Sequence, residues 1–306
     1  MNISKKFPWT LLIVMIVLFA VYLIISLNQA PTASGEKLGL GQGQEIKRMM
    51  ISLTFALPLF ISYFFGLWGS SLLRRAKLAG WESSRFKSLA LGIKTLTLTL
   101  LIGTILGQAR LLFLSAGNDE AHRIFTIIIN YLYSFGFFSG FYLFWHGSTN
   151  PLANVSKGWN ILASALVVIL IGTLYNVAIF TNPNRSIWLD GVPPSHYLND
   201  WLIGLTVVAP SMLAWFWGIL SAFNIADLYS VPAVETRQRG VRNIFYGIIF
   251  IIFNAILLQA ILSVGTARFI LIGLPLTLGL LYIFSIALAL GNFFVVRGAK
   301  KLAADL

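Results

Sequence analysis

The chain has 306 residues, of which 58% are hydrophobic, 14% aromatic and only 10% charged, and its mean hydropathy is +0.82. A soluble domain carries about 25% charged residues, so composition excludes that class and makes lipid the solvent for most of the chain. Cysteine is absent, which removes disulfides, thiolate metal sites, iron–sulfur clusters and a cysteine nucleophile.

A bilayer core about 30 Å thick takes roughly 20 apolar residues in helical form. Eight stretches satisfy this, near 8–28, 49–73, 89–115, 124–146, 159–181, 200–226, 244–265 and 268–296. The first follows Lys5 and Lys6 as a secretory signal would. Its apolar run is longer than a signal core, however, and Asn28-Gln29-Ala30-Pro31 offers no small residue at the −3 position, so it reads as an uncleaved first helix. The second and sixth stretches contain Pro58 and Pro210, each about three turns in, where a missing backbone N–H bends a helix. Gly103 and Gly107 in the third, and Gly136 and Gly140 in the fourth, have the four-residue spacing that lets two helices approach closely. The last two stretches are divided only by a short break at Gly265, Thr266 and Arg268, so seven spans with one long segment is the rival count.

Assigning alternate loops to opposite sides tests the positive-inside rule on every loop. One side receives fourteen cations against four acids: Lys5, Lys6, the run from Arg74 to Lys87, Lys157, the run from Arg237 to Arg242, Arg297, Lys300 and Lys301 face Glu82, Asp227, Glu235 and Asp305. The other receives seven against six. Both termini are therefore expected to be cytoplasmic in a multi-pass protein of the plasma membrane. The net charge of +12 is then a topology signal and not a nucleic-acid footprint. The basic loop 74–87 could also touch anionic headgroups.

The chain also resembles itself. Ile51–Gly66 aligns without gaps on Ile203–Gly218, with Ile51/Ile203, Leu53/Leu205, Thr54/Thr206, Pro58/Pro210, Phe64/Phe216 and Gly66/Gly218 identical at an offset of 152. At an offset of 151, Gln108 matches Gln259, Gly140 matches Gly291 and Gly147 matches Gly298. The expected architecture is all-α: about eight transmembrane helices arranged as two four-helix repeats, residues 1–150 and 151–306. An even number of helices per unit makes the repeats parallel, related by an axis along the membrane normal.

Ionisable residues at bilayer depth usually mark ion and proton pathways, and no carboxylate falls near the midplane of any span. Lys94 and Arg110 lie near helix ends, where they can snorkel. What remains is neutral: Gln108, Asn130, Asn176 and Gln259 fall in the outer halves of their helices, with Thr54 and Thr206 at similar depth and Asn254 close to the middle. Such groups are costly in hydrocarbon and should face other helices or a wet cavity. The outer loops hold His122, His196 and several acids, but no HxxxH or HExxH spacing points to a metal. The outer loop 183–199 carries Trp188 and Tyr197 and suits a cap over the outer surface.

No P-loop, DDxxD run, nucleophile elbow or paired haem-ligating histidines occur, so neither an enzyme nor a cofactor is expected. The leading expectation is a permease or channel-like protein for a small or amphiphilic solute. Its outward pocket would be built from Gln108, Asn130, Asn176, Asn254 and Gln259, with Pro58 and Pro210 as bends. The alternative is a non-transporting scaffold, sensor or assembly subunit that docks a protein partner through the basic loops 74–87 and 230–243. A lipid-acting enzyme ranks third.

Overall fold

The computed structural model describes residues 7–28, 45–75, 81–148, 235–260 and 274–304. All six elements among them are helices: α1 (Trp9–Leu27), α2 (Glu45–Arg75), α3 (Trp81–Ser115), α4 (Asp119–Ser148), α5 (Glu235–Ala260) and α6 (Leu274–Ala304). Among the described residues, four segments are long and apolar enough to cross a membrane, namely Trp9–Leu27, Ala56–Arg75, Phe86–Phe113 and Tyr282–Leu302. The expected spans at 159–181 and 200–226, with Asn176 and Pro210, lie outside the described residues.

Except at α1, the helices outrun the apolar stretches. Within lipid, a backbone must satisfy its hydrogen bonds internally, and past the hydrocarbon nothing forces the helix to stop. α5 therefore begins at Glu235, nine residues before the apolar run, through helix-favouring Arg and Gln and an exposed ion pair between Glu235 and Arg239 one turn apart. α6 likewise continues through Arg297, Lys300 and Lys301 to Ala304. The turn from α3 to α4 has local causes: Gly117 adopts φ 71°, and the Asn118 side-chain oxygen accepts the Ala121 N–H as an N-cap. α2 runs on through Pro58, and one turn before it the exposed Thr54 hydroxyl donates to the Met50 carbonyl.

Close approaches at glycines fix how the helices pack. A Cβ added to Gly247 of α5 would lie 2.6 Å from the Gly291 carbonyl oxygen of α6, and one added to Gly298 would lie 2.6 Å from the Gly240 oxygen. Both pairs are spaced by seven residues, so one face of α5 meets one face of α6 backbone to backbone, antiparallel. The described parts of the stretch 244–296 thus belong to two antiparallel helices. Gly136 and Gly140 of α4 pack just as closely on Thr99 and Leu96 of α3, whereas Gly107 has open space where its side chain would be. Of the glycines singled out in the sequence, Gly136 and Gly140 make close contacts and Gly107 does not.

α6 also packs along α2. Gly66 lies against Asn292, and Gly69 against Val295 and Val296, so these two helices run parallel although some 230 residues separate them. α2 and α3 are antiparallel through Gly66 and Thr97, and α1 lies in the groove between them. Only Met15 and Tyr22 of α1 are buried, and its other side is largely exposed and apolar, as suits a helix in lipid. These directions bring Arg74, Arg75, Lys87, Arg237, Arg239, Arg242, Arg297, Lys300 and Lys301 to one end of the bundle, here called the basic end, in agreement with the partition of charges read from the loops.

Replacing Gly247 with valine is expected to cost about 1–3 kcal/mol by overpacking, seen as a lower midpoint of thermal unfolding in detergent, whereas Gly107→Ala leaves the midpoint unchanged.

Candidate functional site: a polar seam between the helices

Thr97, Thr104 and Gln108 of α3 are seven and eleven residues apart, two and three helical turns, and so share one face. Over that face lie α1 and α2, with α6 approaching at Gly66, and Gln108 and Thr104 each meet a polar group on a facing helix. Nearest the end opposite the basic one, the Gln108 amide Nε2 donates to the Tyr22 hydroxyl of α1 over a long 3.3 Å. About one turn deeper, the hydroxyls of Thr104 and Tyr63 lie 2.7 Å apart, with Tyr63 almost wholly buried on α2. Two turns deeper still, Thr97 and Asn292 of α6 both press on Gly66. There the Asn292 Nδ2 donates to the Ser62 hydroxyl at 2.9 Å and to the Ser62 carbonyl at 3.2 Å. From Gln108 to Thr97 the seam descends about 16 Å at 1.5 Å per residue.

The Ser62 carbonyl can only accept, so it fixes the orientation of the Asn292 amide: Nδ2 points to Ser62 and Oδ1 points away. That oxygen is buried and has no partner among the described residues. Thr97, for its part, donates to the Ile93 carbonyl one turn back at 2.7 Å, keeping its lone pairs toward the junction. Three helices thus contribute neutral polar groups to one buried point, with an acceptor to spare.

A second polar position lies apart from the seam. Asn254 continues the seven-residue spacing of Gly240 and Gly247 on α5, which sets it on the face covered by α6 at the level of Phe284 and Ser285. It is 0% exposed, and neither its Oδ1 nor its Nδ2 has a partner among the described residues. An unmet buried amide is expensive, on the order of 1–3 kcal/mol for each orphaned group.

Of the five residues expected from sequence to form one pocket, two have described side chains. Gln108 belongs to the seam and Asn254 to the α5–α6 face. Asn130 stands on α4 and Gln259 in the last turn of α5, with side chains outside what is described; Asn176 lies outside the described residues altogether. Thr54 is exposed and bonded to its own helix, so it adds nothing to a pocket. Arg110 is half-buried with its Nε enclosed, and its carbonyl meets the buried His122 ring, whose Nδ1 is 3.2 Å away. Sequence reasoning missed Ser62, Tyr63, Thr97, Thr104 and Asn292, though the 97/104/108 spacing on an apolar helix was a readable signal. Among the described residues, no cluster of three His, Asp or Glu side chains has the geometry of a metal site.

Comparison with protein-family models, curated proteins and solved structures finds no match.

The Ser62–Asn292 bond should behave as one unit. Ser62→Ala and Asn292→Ala are each expected to lower stability by about 0.6–2 kcal/mol, and the double variant by clearly less than their sum. Unfolding of the four proteins in detergent measures the coupling; strict additivity would contradict the bond.

Proposed function

We propose that the chain is a permease or channel-like integral membrane protein for a small neutral or amphiphilic solute, entering along the α3 seam from the end opposite the basic one. The carrying observation is the descent of Gln108, Thr104–Tyr63 and Ser62–Asn292 through the contacts of four helices. No carboxylate accompanies it in the described spans, which favours a neutral solute and no proton or sodium coupling through Asp or Glu. The activity is transport and not covalent chemistry. In this reading the basic end is cytoplasmic, as are both termini, and the membrane is the plasma membrane.

The two-repeat architecture belongs to the same proposal, and two observations support it. α4 ends and α5 begins at the basic end, so residues 149–234 leave and return on one side, as two crossings at 159–181 and 200–226 would. In addition, Gly140 packs on Leu96 and Gly291 packs on Gly247. The two contacts are related, residue for residue, by the offset of 151 that aligns the repeats in sequence.

The second reading, a scaffold or sensor that docks a protein through loops 74–87 and 230–243, is favoured by how fully the upper seam is closed by its own hydrogen bonds. The absence of cysteine separates the two, because any introduced thiol is the only one present. Single cysteines at Thr104, Gln108, Asn130, Asn176, Asn254 and Gln259 are expected to react with a membrane-impermeant maleimide in intact cells, Gln108 and Thr104 foremost. A turn residue such as Asn118 serves as the accessible control. If Asn118 labels while Gln108 and Thr104 stay inert, the seam is packing and the scaffold reading stands.

A further inference from the structure

At the basic end, the parallel contact of α2 with α6 carries a ladder of rings that finishes in cations. Phe293 of α6 meets Phe65 of α2 edge to face at 5.5 Å, Phe65 stacks on Trp68, and the Lys300 Nζ lies 4.2 Å from the centre of the Trp68 ring. Phe293 is 41% exposed, so the ladder opens toward lipid. Arg297 is one turn beyond Phe293 on the same face of α6, and Arg75 two turns beyond Trp68 on the same face of α2; both are exposed. Near this groove neither helix has an acid: α6 contains none, and the single acid of α2, Glu45, is at its far end.

Orientation in the membrane requires only that cations lie in the loops of one side. Here they stand on helix faces, one of them held over an indole, directly past an aromatic pair at the depth where hydrocarbon gives way to headgroups. We propose that this groove is a binding site for an anionic phospholipid, with Arg75, Arg297 and Lys300 around the phosphate and the exposed edge of Phe293 against the first part of an acyl chain. Charge complementarity, with no acid on this part of α2 or α6, selects the headgroup, and the aromatic ladder selects a lipid over a free anion. The inference rests on the bundle spanning a membrane and not on the solute path, so either can fail alone.

The full chain, purified in a neutral detergent, is titrated with phosphatidylglycerol and with phosphatidylcholine of the same acyl chains, and bound lipid is counted by native mass spectrometry. Three cations near one phosphate predict binding of phosphatidylglycerol about a hundredfold tighter than phosphatidylcholine. The triple variant R75Q/R297Q/K300Q should bind both lipids alike, while R237Q/R239Q/R242Q, which removes the same charge from α5, should stay within about twofold of the parent. Should the first triple variant fail to fold, K300R is expected to keep the preference and K300Q to lose about tenfold of it. Equal affinity for the two lipids, or equal loss in both triple variants, overturns the site in favour of diffuse surface charge. Displacement of the lipid by glycerol phosphate at the same concentration overturns it in favour of a free anion.

Discussion

Backbone contact at glycine is the interaction on which this bundle depends. In water, two apolar helices associate because burial removes surface from solvent; in lipid that reward is nearly absent, and association rests on packing and interhelical hydrogen bonds. Gly247 against Gly291 and Gly240 against Gly298 bring the α5 and α6 backbones together, which multiplies weak dispersion contacts along the two helices. The same helix, α6, uses another face against α2 at Gly66 and Gly69. α6 is therefore the element that joins the first part of the sequence to the last.

Close packing of this kind constrains every polar group it encloses. A hydroxyl or amide within an apolar interface must meet a partner, and a partner with a directional bond fixes the register of its helix. Asn292 donating to Ser62 does this for the parallel α2–α6 contact, which glycines alone would leave free to slide by a turn. Tyr63 with Thr104, and Gln108 with Tyr22, do the same for α2 and α1 on α3. The seam thus sets the alignment of the bundle as well as offering polar groups along its interior. Among the described residues, the unmet Asn292 oxygen and the unmet Asn254 amide are places where structural need alone does not account for the polarity, and the buried Asn243 Nδ2 is a third unmet group.

Much of the architecture was legible in the residues. The first span is expected at 8–28 and found at Trp9–Leu27, and the charge partition among loops agrees with the ends to which packing brings those charges. Helix ends were harder to read, because hydropathy registers the hydrocarbon slab and not where the helical backbone stops; hence α5 begins nine residues early. The facing of each helix was harder still. A soluble helix betrays its buried side by polar residues on the other, but here both sides are apolar, since lipid and protein accept the same side chains. That is why Thr54 and Gln108, equally polar in sequence, turn out one exposed and one in the seam. Small residues every seven positions on α5 and α6 carried the missing information, whereas the four-residue glycine pattern was correct at Gly136 and Gly140 and uninformative at Gly107.

The chemistry of the seam also limits what could travel along it. Its described members are amides, hydroxyls and phenols, which can exchange their bonds with one another for bonds to a solute at little net change. With one unmet acceptor among the described members, they do not supply the ring of oxygens that would replace the hydration of an ion: a bare charge at bilayer depth costs at least about 2.5–3.5 kcal/mol even where water and headgroups relieve it, and no opposite charge lines this route among the described residues. A neutral solute with its own donors meets a different balance. It can use the Asn292 oxygen that the helices leave unmet, and it need only open hydrogen bonds such as the 3.3 Å contact between Gln108 and Tyr22, the longest and weakest in the seam and the one nearest its mouth. The weakest closure lies where entry would begin, and the Ser62–Asn292 bond lies deepest, where three helices converge.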